Sequence, residues 1–168
     1  VDDLSKLIFT NEECNYGYRD SIFKNSLKGK YVITYVTYRL SKKANPNIGY
    51  GALKSVLAEN PSLKEIRDAI IAVRNSKLPD PKVYGNAGSF FMNPVIPMEQ
   101  FVALQSRYPE IPSYPASDGY IKVPAGWLIE KSGWKGKSLG NAAVYEKQAL
   151  VLINRGGATG MEVKHLAD

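Results

Sequence analysis

The sequence predicts an α+β fold, and three observations carry that prediction. Helix-like and strand-like segments are mixed without the strict alternation that builds a parallel sheet. Two capping-box pairs, Ser62 with Glu65 and Thr159 with Glu162, open segments that read as helices. Between them lie short apolar runs and a stretch rich in breakers, the pattern of short strands joined by loops.

Residues 1–4 and 7–10 are expected as two short strands with little around them to bury. Asn11 is expected to cap a helix over Glu12 and Glu13, because its side chain accepts orphan backbone N–H groups. Residues 31–40 (YVITYVTYRL) form the clearest strand by composition, rich in β-branched and aromatic side chains. Residues 50–57 read as a short helix. A longer helix follows Ser62, with Leu63, Ile66, Ile70 and Val73 at helical spacing on its buried face.

Residues 78–97 hold four prolines and two glycines, so a loop with at most short strands is expected there. A helix over 98–108 presents Phe101, Leu104 and Tyr108 on one face. Residues 120–123 suggest a strand, 125–131 a helix ended by Gly133, and 149–153 a buried strand. The last helix opens at Thr159 and reaches Asp168 without a stop signal, so both chain ends are expected to be cut. The three helices after residue 97 are expected to pack on one sheet containing 120–123 and 149–153.

Bulk properties narrow the function. The chain has 168 residues, 44% apolar and 23% charged, ordinary for a globular protein. No apolar run approaches the roughly 20 residues that span a bilayer, and the acidic start is not a signal peptide. One cysteine, Cys14, excludes an internal disulfide. Cys14 and the single histidine, His165, are too few to build a zinc site. These features point to the cytoplasm. The net charge of +6 favours anionic partners, and the scatter of Lys and Arg favours a small anion over nucleic acid.

Three glycine-rich stretches are candidates for chemistry. GWKGKS, residues 133–138, carries a GKS but has Lys131 where a phosphate loop needs glycine, so a turn ending a helix is the better account. GGATG, residues 156–160, precedes a helix and is expected as a helix entry more than an anion site. In GNAGSFFMNP, residues 85–94, Ser89 has no nearby histidine to make it a nucleophile. A turn residue or a proton donor remain its two readings.

Four strings extend this reading. GYRDSIFK (17–24), KLPDPKVYGNAGSFFMNP (77–94), YPASDGYIKVPAGWLIE (114–130) and KGKSLGNAAVYEKQALVLIN (135–154) occur in one order along essentially the whole chain. Together they resemble the flavin-dependent UDP-N-acetylenolpyruvoylglucosamine reductases, which complete UDP-N-acetylmuramate in peptidoglycan precursor synthesis. The resemblance implies that NADPH reduces bound FAD, that hydride passes to C3 of the enolpyruvyl group of UDP-N-acetylglucosamine enolpyruvate, and that C2 is then protonated.

By resemblance, Arg19 matches the catalytic arginine and Ser89 the serine that protonates C2. From the residues alone, Arg19 has the alternative of an ion pair with Asp20 or a helix end. Tyr50 matches a tyrosine on a substrate-covering loop and, with Lys77, a diphosphate contact. Tyr114, Lys135 and Gln148 match further substrate contacts, Asn93 the sugar-phosphate end, and Arg74 a position near the flavin. Met92 stands where the family commonly has lysine.

The glycine-rich flavin loop and the glutamate that completes the site are absent from the sequence. Residues 1–78 are accordingly expected as a remnant of the FAD-binding domain. Residues 79–168 are expected as a small α+β substrate-binding domain with a mixed sheet and packed helices. FAD is expected not to be retained, and the isolated chain to be inactive. The alternative expectation is a stand-alone module that binds UDP-sugars without chemistry.

Overall fold

The computed structural model describes residues 4–49 and 51–168. The chain divides into two compact units, Val1–Ala44 and Asn45–Asp168.

In the first unit, helix α1 (Asn11–Cys14) is capped one residue earlier than expected. Thr10 accepts from the Glu13 amide, and Glu13 accepts in return from the Thr10 amide. This reciprocal pair satisfies two orphan donors at once, which Asn11 has no acidic partner at the right spacing to do. Asn15 in the left-handed region ends the helix. Phe9 stacks edge-on against Phe23 and Tyr31, forming a small aromatic cluster.

Residues 7–10 form no strand, and residues 1–3 lie outside the described residues. The expected strand over 31–40 is also not formed: the segment takes no regular secondary structure, has no β-ladder partner among the described residues and is exposed throughout. Its β-branched and aromatic composition measures fit to a half-buried pleated surface, and a strand without a hydrogen-bonded neighbour has no such surface.

The second unit opens with helices α2 (Leu53–Val56) and α3 (Leu63–Lys77). Ser62 and Glu65 cap α3 reciprocally, as the sequence predicts. Its apolar stripe is only partly covered: Ile66 is buried, while Leu63 is 64% exposed. The cause is length. α2 has four residues and spans about 6 Å, against about 22 Å for the fifteen residues of α3.

There follow β1 (Gly85–Ser89), β2 (Val95–Pro97), α4 (Met98–Arg107), β3 (Tyr114–Pro115), β4 (Tyr120–Lys122) and α5 (Ala125–Lys131). Strands β5 (Ser138–Leu139), β6 (Ala142–Val144) and β7 (Val151–Asn154) and helix α6 (Gly160–Ala167) complete the chain. The α+β class holds. The single mixed sheet is replaced by two sheets, ordered β1-β7-β6-β5 and β2-β4-β3, with every pairing antiparallel. Residues 120–122 and 151–154 therefore belong to different sheets. Short connections such as the Gly140–Asn141 turn pair neighbours directly, and no crossover helix is needed to bring parallel strands together.

Three apolar clusters hold this unit. Tyr145, Val151 and Ile153 meet Leu78 and Tyr84 on one side of the larger sheet. Val144 and Leu152 meet Phe91, Ile129, Val163 and Leu166 on the other. Phe101, Ile111 and Val123 join α4 to the smaller sheet, together with Trp127 and Leu128. α5 thus contributes to the last two clusters, and that bridging fixes its position next to the β1 loop.

α5 ends as the sequence predicts. Gly133, at φ 74°, donates to the Glu130 carbonyl and Trp134 donates to Ile129, the paired bonds of a glycine-terminated helix. α6 opens on the Thr159–Glu162 capping box. Backbone and hydroxyl hydrogen bonds from Thr159, with help from the Asn141 amide, hold the Glu162 carboxyl below the usual carboxylate range. A depressed folded value means stability that is present at neutral pH and lost as pH falls through it. We expect amide protection in the first turn of α6 to fade as pH drops from the usual carboxylate range, and Glu162→Gln to remove that dependence. Unchanged acid sensitivity in the variant would assign it to another carboxylate.

Candidate functional site

Ser89 ends β1, and the chain around it is shaped by a bulge. Asn86 is opposite Ile153 and Ser89 is opposite Val151, so β1 carries one more residue than β7 over this interval. Gly88 takes φ 74°, a conformation that any side chain would strain. The Asn86 side chain spans the bulge, accepting from the Gly88 amide at 3.0 Å and donating to the Tyr84 carbonyl at 3.1 Å. Immediately after Ser89, the Phe90 amide donates to Leu150 at 2.7 Å. Phe91 then enters the core beside Val144 and Ile129. Ser89 itself is exposed at the strand end, held by backbone on both sides. Bulges re-aim side chains in this way at strand ends.

Asn93 is half-buried and its Oδ1 accepts from the Ala125 amide at 3.0 Å, capping α5 from 32 residues away. Pro124, at the cap position, has no side-chain acceptor to offer. Asn93 thereby ties the Ser89 loop to the start of α5. Gln148 sits at the same end: its Oε1 lies within 3.8 Å of where a side chain on Gly126 would begin, and its carbonyl accepts from Val151. Ser89, Asn93 and Gln148 therefore converge on the start of β7 and the N-terminal end of α5. Asn93→Ala is expected to destabilise the protein by about 1 kcal/mol in urea unfolding, with Asn93→Asp close to wild type. Equal stability of wild type and Asn93→Ala would remove the cap from the account.

The other predicted residues lie elsewhere. Lys135 pairs with Glu130 at 2.9 Å beyond the far end of α5. Tyr114 is on β3 in the smaller sheet and 54% exposed. Arg74 and Lys77 are exposed, one turn apart in the last turns of α3. Tyr50 lies outside the described residues. Met92 is 51% exposed.

Arg19 belongs to the first unit, at a tight turn closed by reciprocal Gly17 and Asp20 backbone bonds of 3.0 and 3.3 Å. It takes φ 53°, uncommon for a residue with a side chain. Its carbonyl accepts from Lys24 Nζ, and Asp20 Oδ1 accepts from the Ser21 amide and from Asn25.

The two remaining glycine-rich stretches are engaged internally. Gly136 donates to Val144 and Lys137 to Trp134, so GWKGKS is the turn expected of it. The Gly156 and Ala158 amides both donate to Asn154 Oδ1, and the Glu162 carboxylate already occupies the start of α6. Among the described residues no cluster of metal-binding side chains occurs, and no helix is long and apolar enough to cross a membrane.

The family model for the C-terminal domain of UDP-N-acetylenolpyruvoylglucosamine reductase matches residues 80–168, just over half of the chain. The chain belongs to this family. Curated proteins named UDP-N-acetylenolpyruvoylglucosamine reductase extend the match to nearly all of it. The one from Porphyromonas gingivalis is 56% identical over 164 residues, covering 96% of this chain and 48% of the relative. That from Bacteroides fragilis is 52% identical over 163 residues, 96% of this chain and 49% of the relative. That from Burkholderia vietnamiensis is 50% identical, covering 95% and 47%. The chain spans about half the length of the curated relatives it matches. A crystal structure of the Thermus caldophilus reductase is 24% identical, with a TM-score of 0.38, covering 62% of this chain and 28% of that one.

At the site, the Asn86 bridge and the capping role of Asn93 were not read from the sequence. Asn-x-Gly after a tyrosine was the available signal for the first, because asparagine side chains close turns on an amide two residues on. The second had no local signal.

Proposed function

We propose that this chain is the substrate-binding part of a flavin-dependent reductase of peptidoglycan precursor synthesis. The reaction would reduce the enolpyruvyl double bond of UDP-N-acetylglucosamine enolpyruvate to UDP-N-acetylmuramate. The observation that carries the reading is the bulged GNAGS strand end, which presents Ser89 from a backbone held on both sides. Family membership and the names of the curated relatives support it.

FAD, reduced by NADPH, supplies the hydride when bound, and we assign its cradle to polypeptide outside this chain. The bond accounting is simple: hydride adds at C3, a proton adds at C2, and NADPH leaves as NADP⁺. The residues of this chain then have separate tasks. Arg19, a fixed cationic fork, holds the substrate carboxylate and steadies the charge that develops beside it. Ser89 gives the proton to C2, which a hydroxyl can do only to a strongly basic carbon held close. Tyr50, Lys77, Tyr114, Lys135, Gln148 and Asn93 line or order the site of the UDP-sugar, and Arg74 lies towards the flavin. Residues 1–78 belong to the flavin-domain side and 79–168 to the substrate domain. A cytoplasmic setting suits this precursor chemistry.

Titration calorimetry with the enolpyruvyl UDP-sugar tests the assignment, after a visible spectrum has shown whether flavin is bound. Heat of binding from a colourless chain is the expected result, and it supports the substrate assignment without supporting turnover. No binding by this chain would mean that its pocket needs the remaining polypeptide. No binding by the complete polypeptide would sink the assignment.

A further inference from the structure

We propose that Asn86 is a positioning residue for proton delivery by Ser89, acting through the Gly88 backbone. The inference rests on the proton-donor reading of Ser89 given above. Ser89 ends a bulged strand, and a bulge leaves its extra residue without a ladder bond to hold it. Downstream the position is set by the Phe90 amide on Leu150 and by Phe91 in the core. Upstream the Asn86 side chain takes the place of the missing ladder bond. It grips the Gly88 amide with Oδ1 and the Tyr84 carbonyl with Nδ2, so that the bulged Gly88 and the strand before it are tied to one planar group. Gly88 is half-buried in the left-handed region, a side chain there would meet no atom within 4 Å, and its conformation is restrained by the hydrogen bond its amide donates to Asn86. The amide bridge is therefore what keeps the residue before Ser89 in one conformation.

Proton transfer to carbon is steeply sensitive to placement, and a displacement of about 1 Å can cost roughly 100-fold. Asn86→Ala in the complete reductase is expected to slow reduction of the enolpyruvyl sugar by about 10- to 100-fold, with KM for the sugar little changed. Flavin reduction by NADPH should be unaffected. Asn86→Asp keeps the acceptor for Gly88 and should recover most of the rate. In a Ser89→Ala background, Asn86→Ala should cost nothing further, because its effect runs through the serine.

Amide hydrogen exchange at Gly88 in this chain gives a readout independent of turnover: faster in Asn86→Ala, unchanged in Asn86→Asp. An undiminished loss in the Ser89→Ala background, or unaltered Gly88 exchange in Asn86→Ala, overturns the proposal. So does a wild-type rate in Asn86→Ala when Ser89→Ala is slow, and in that case the serine reading stands. A wild-type rate in Ser89→Ala removes the serine reading and the Asn86 role together.

Discussion

Ser89→Ala in the complete reductase is expected to leave flavin reduction by NADPH at the wild-type rate while slowing sugar reduction by about 10²- to 10⁴-fold, the usual contribution of a positioned acid. The split follows from the division of labour. Under the proposed roles the hydroxyl has no part in loading the flavin, so only the half-reaction that protonates C2 should feel its loss. A solvent isotope effect sharpens this: in deuterated water, protonation should become more strongly rate-limiting in variants that weaken the donor. Ser89→Cys, which keeps a transferable proton at nearly the same place, should lie between wild type and alanine. Ser89 is exposed, and the Phe90 bond and the β1–β7 pairing beside it are backbone interactions that the variant keeps. Single-turnover kinetics with prereduced flavin is the measurement. Wild-type formation of the reduced, C2-protonated sugar in Ser89→Ala would take the serine out of the chemistry.

The elements legible in the sequence are those whose cause is local. Ser62 with Glu65 and Thr159 with Glu162 form their caps within four residues, and both helices start where those pairs place them. α5 ends at its glycine for the same reason. Even the misplaced cap of α1 was a local matter: Thr10 and Asn11 are both good cap residues, and the glutamate three positions after Thr10 decides between them.

What was not legible depends on partners distant in sequence. The 31–40 segment has the composition of a strand, yet composition does not supply a neighbour. The split into two sheets is set by which strands meet, as in the pairing of Gly85 with Asn154 across most of the second unit. The Asn93 cap of α5 reaches over 32 residues and replaces a cap that Pro124 lacks. For the site, the residue types are proposed from resemblance. The bulge that aims Ser89 and the left-handed backbone of Arg19 are properties of geometry alone.

Arg19 should show the second large effect, and with a signature of its own. Arg19→Lys in the complete reductase is expected to lower kcat/KM for the UDP-sugar by about 10²- to 10³-fold, because an ammonium cannot reproduce a bidentate fork on a carboxylate. NADPH oxidation by the flavin should again be spared. The backbone adds a separate test. A side-chain-bearing residue in the left-handed region costs roughly 1–2 kcal/mol, and glycine escapes that cost at the expense of about 0.5–1 kcal/mol in unfolded-chain entropy. The turn is closed by the Gly17 and Asp20 backbone and by side chains of Asp20, Lys24 and Asn25. Compared with Arg19→Ala, which lacks the guanidinium too but keeps the left-handed cost, Arg19→Gly is expected to be as stable or up to about 1 kcal/mol more stable, while both lose activity severely. A residue that lowers stability where it stands and is indispensable to turnover is held there by function. Urea unfolding and steady-state kinetics on the same preparation decide it. Loss of stability together with retained activity would make Arg19 a structural residue and move the carboxylate contact elsewhere.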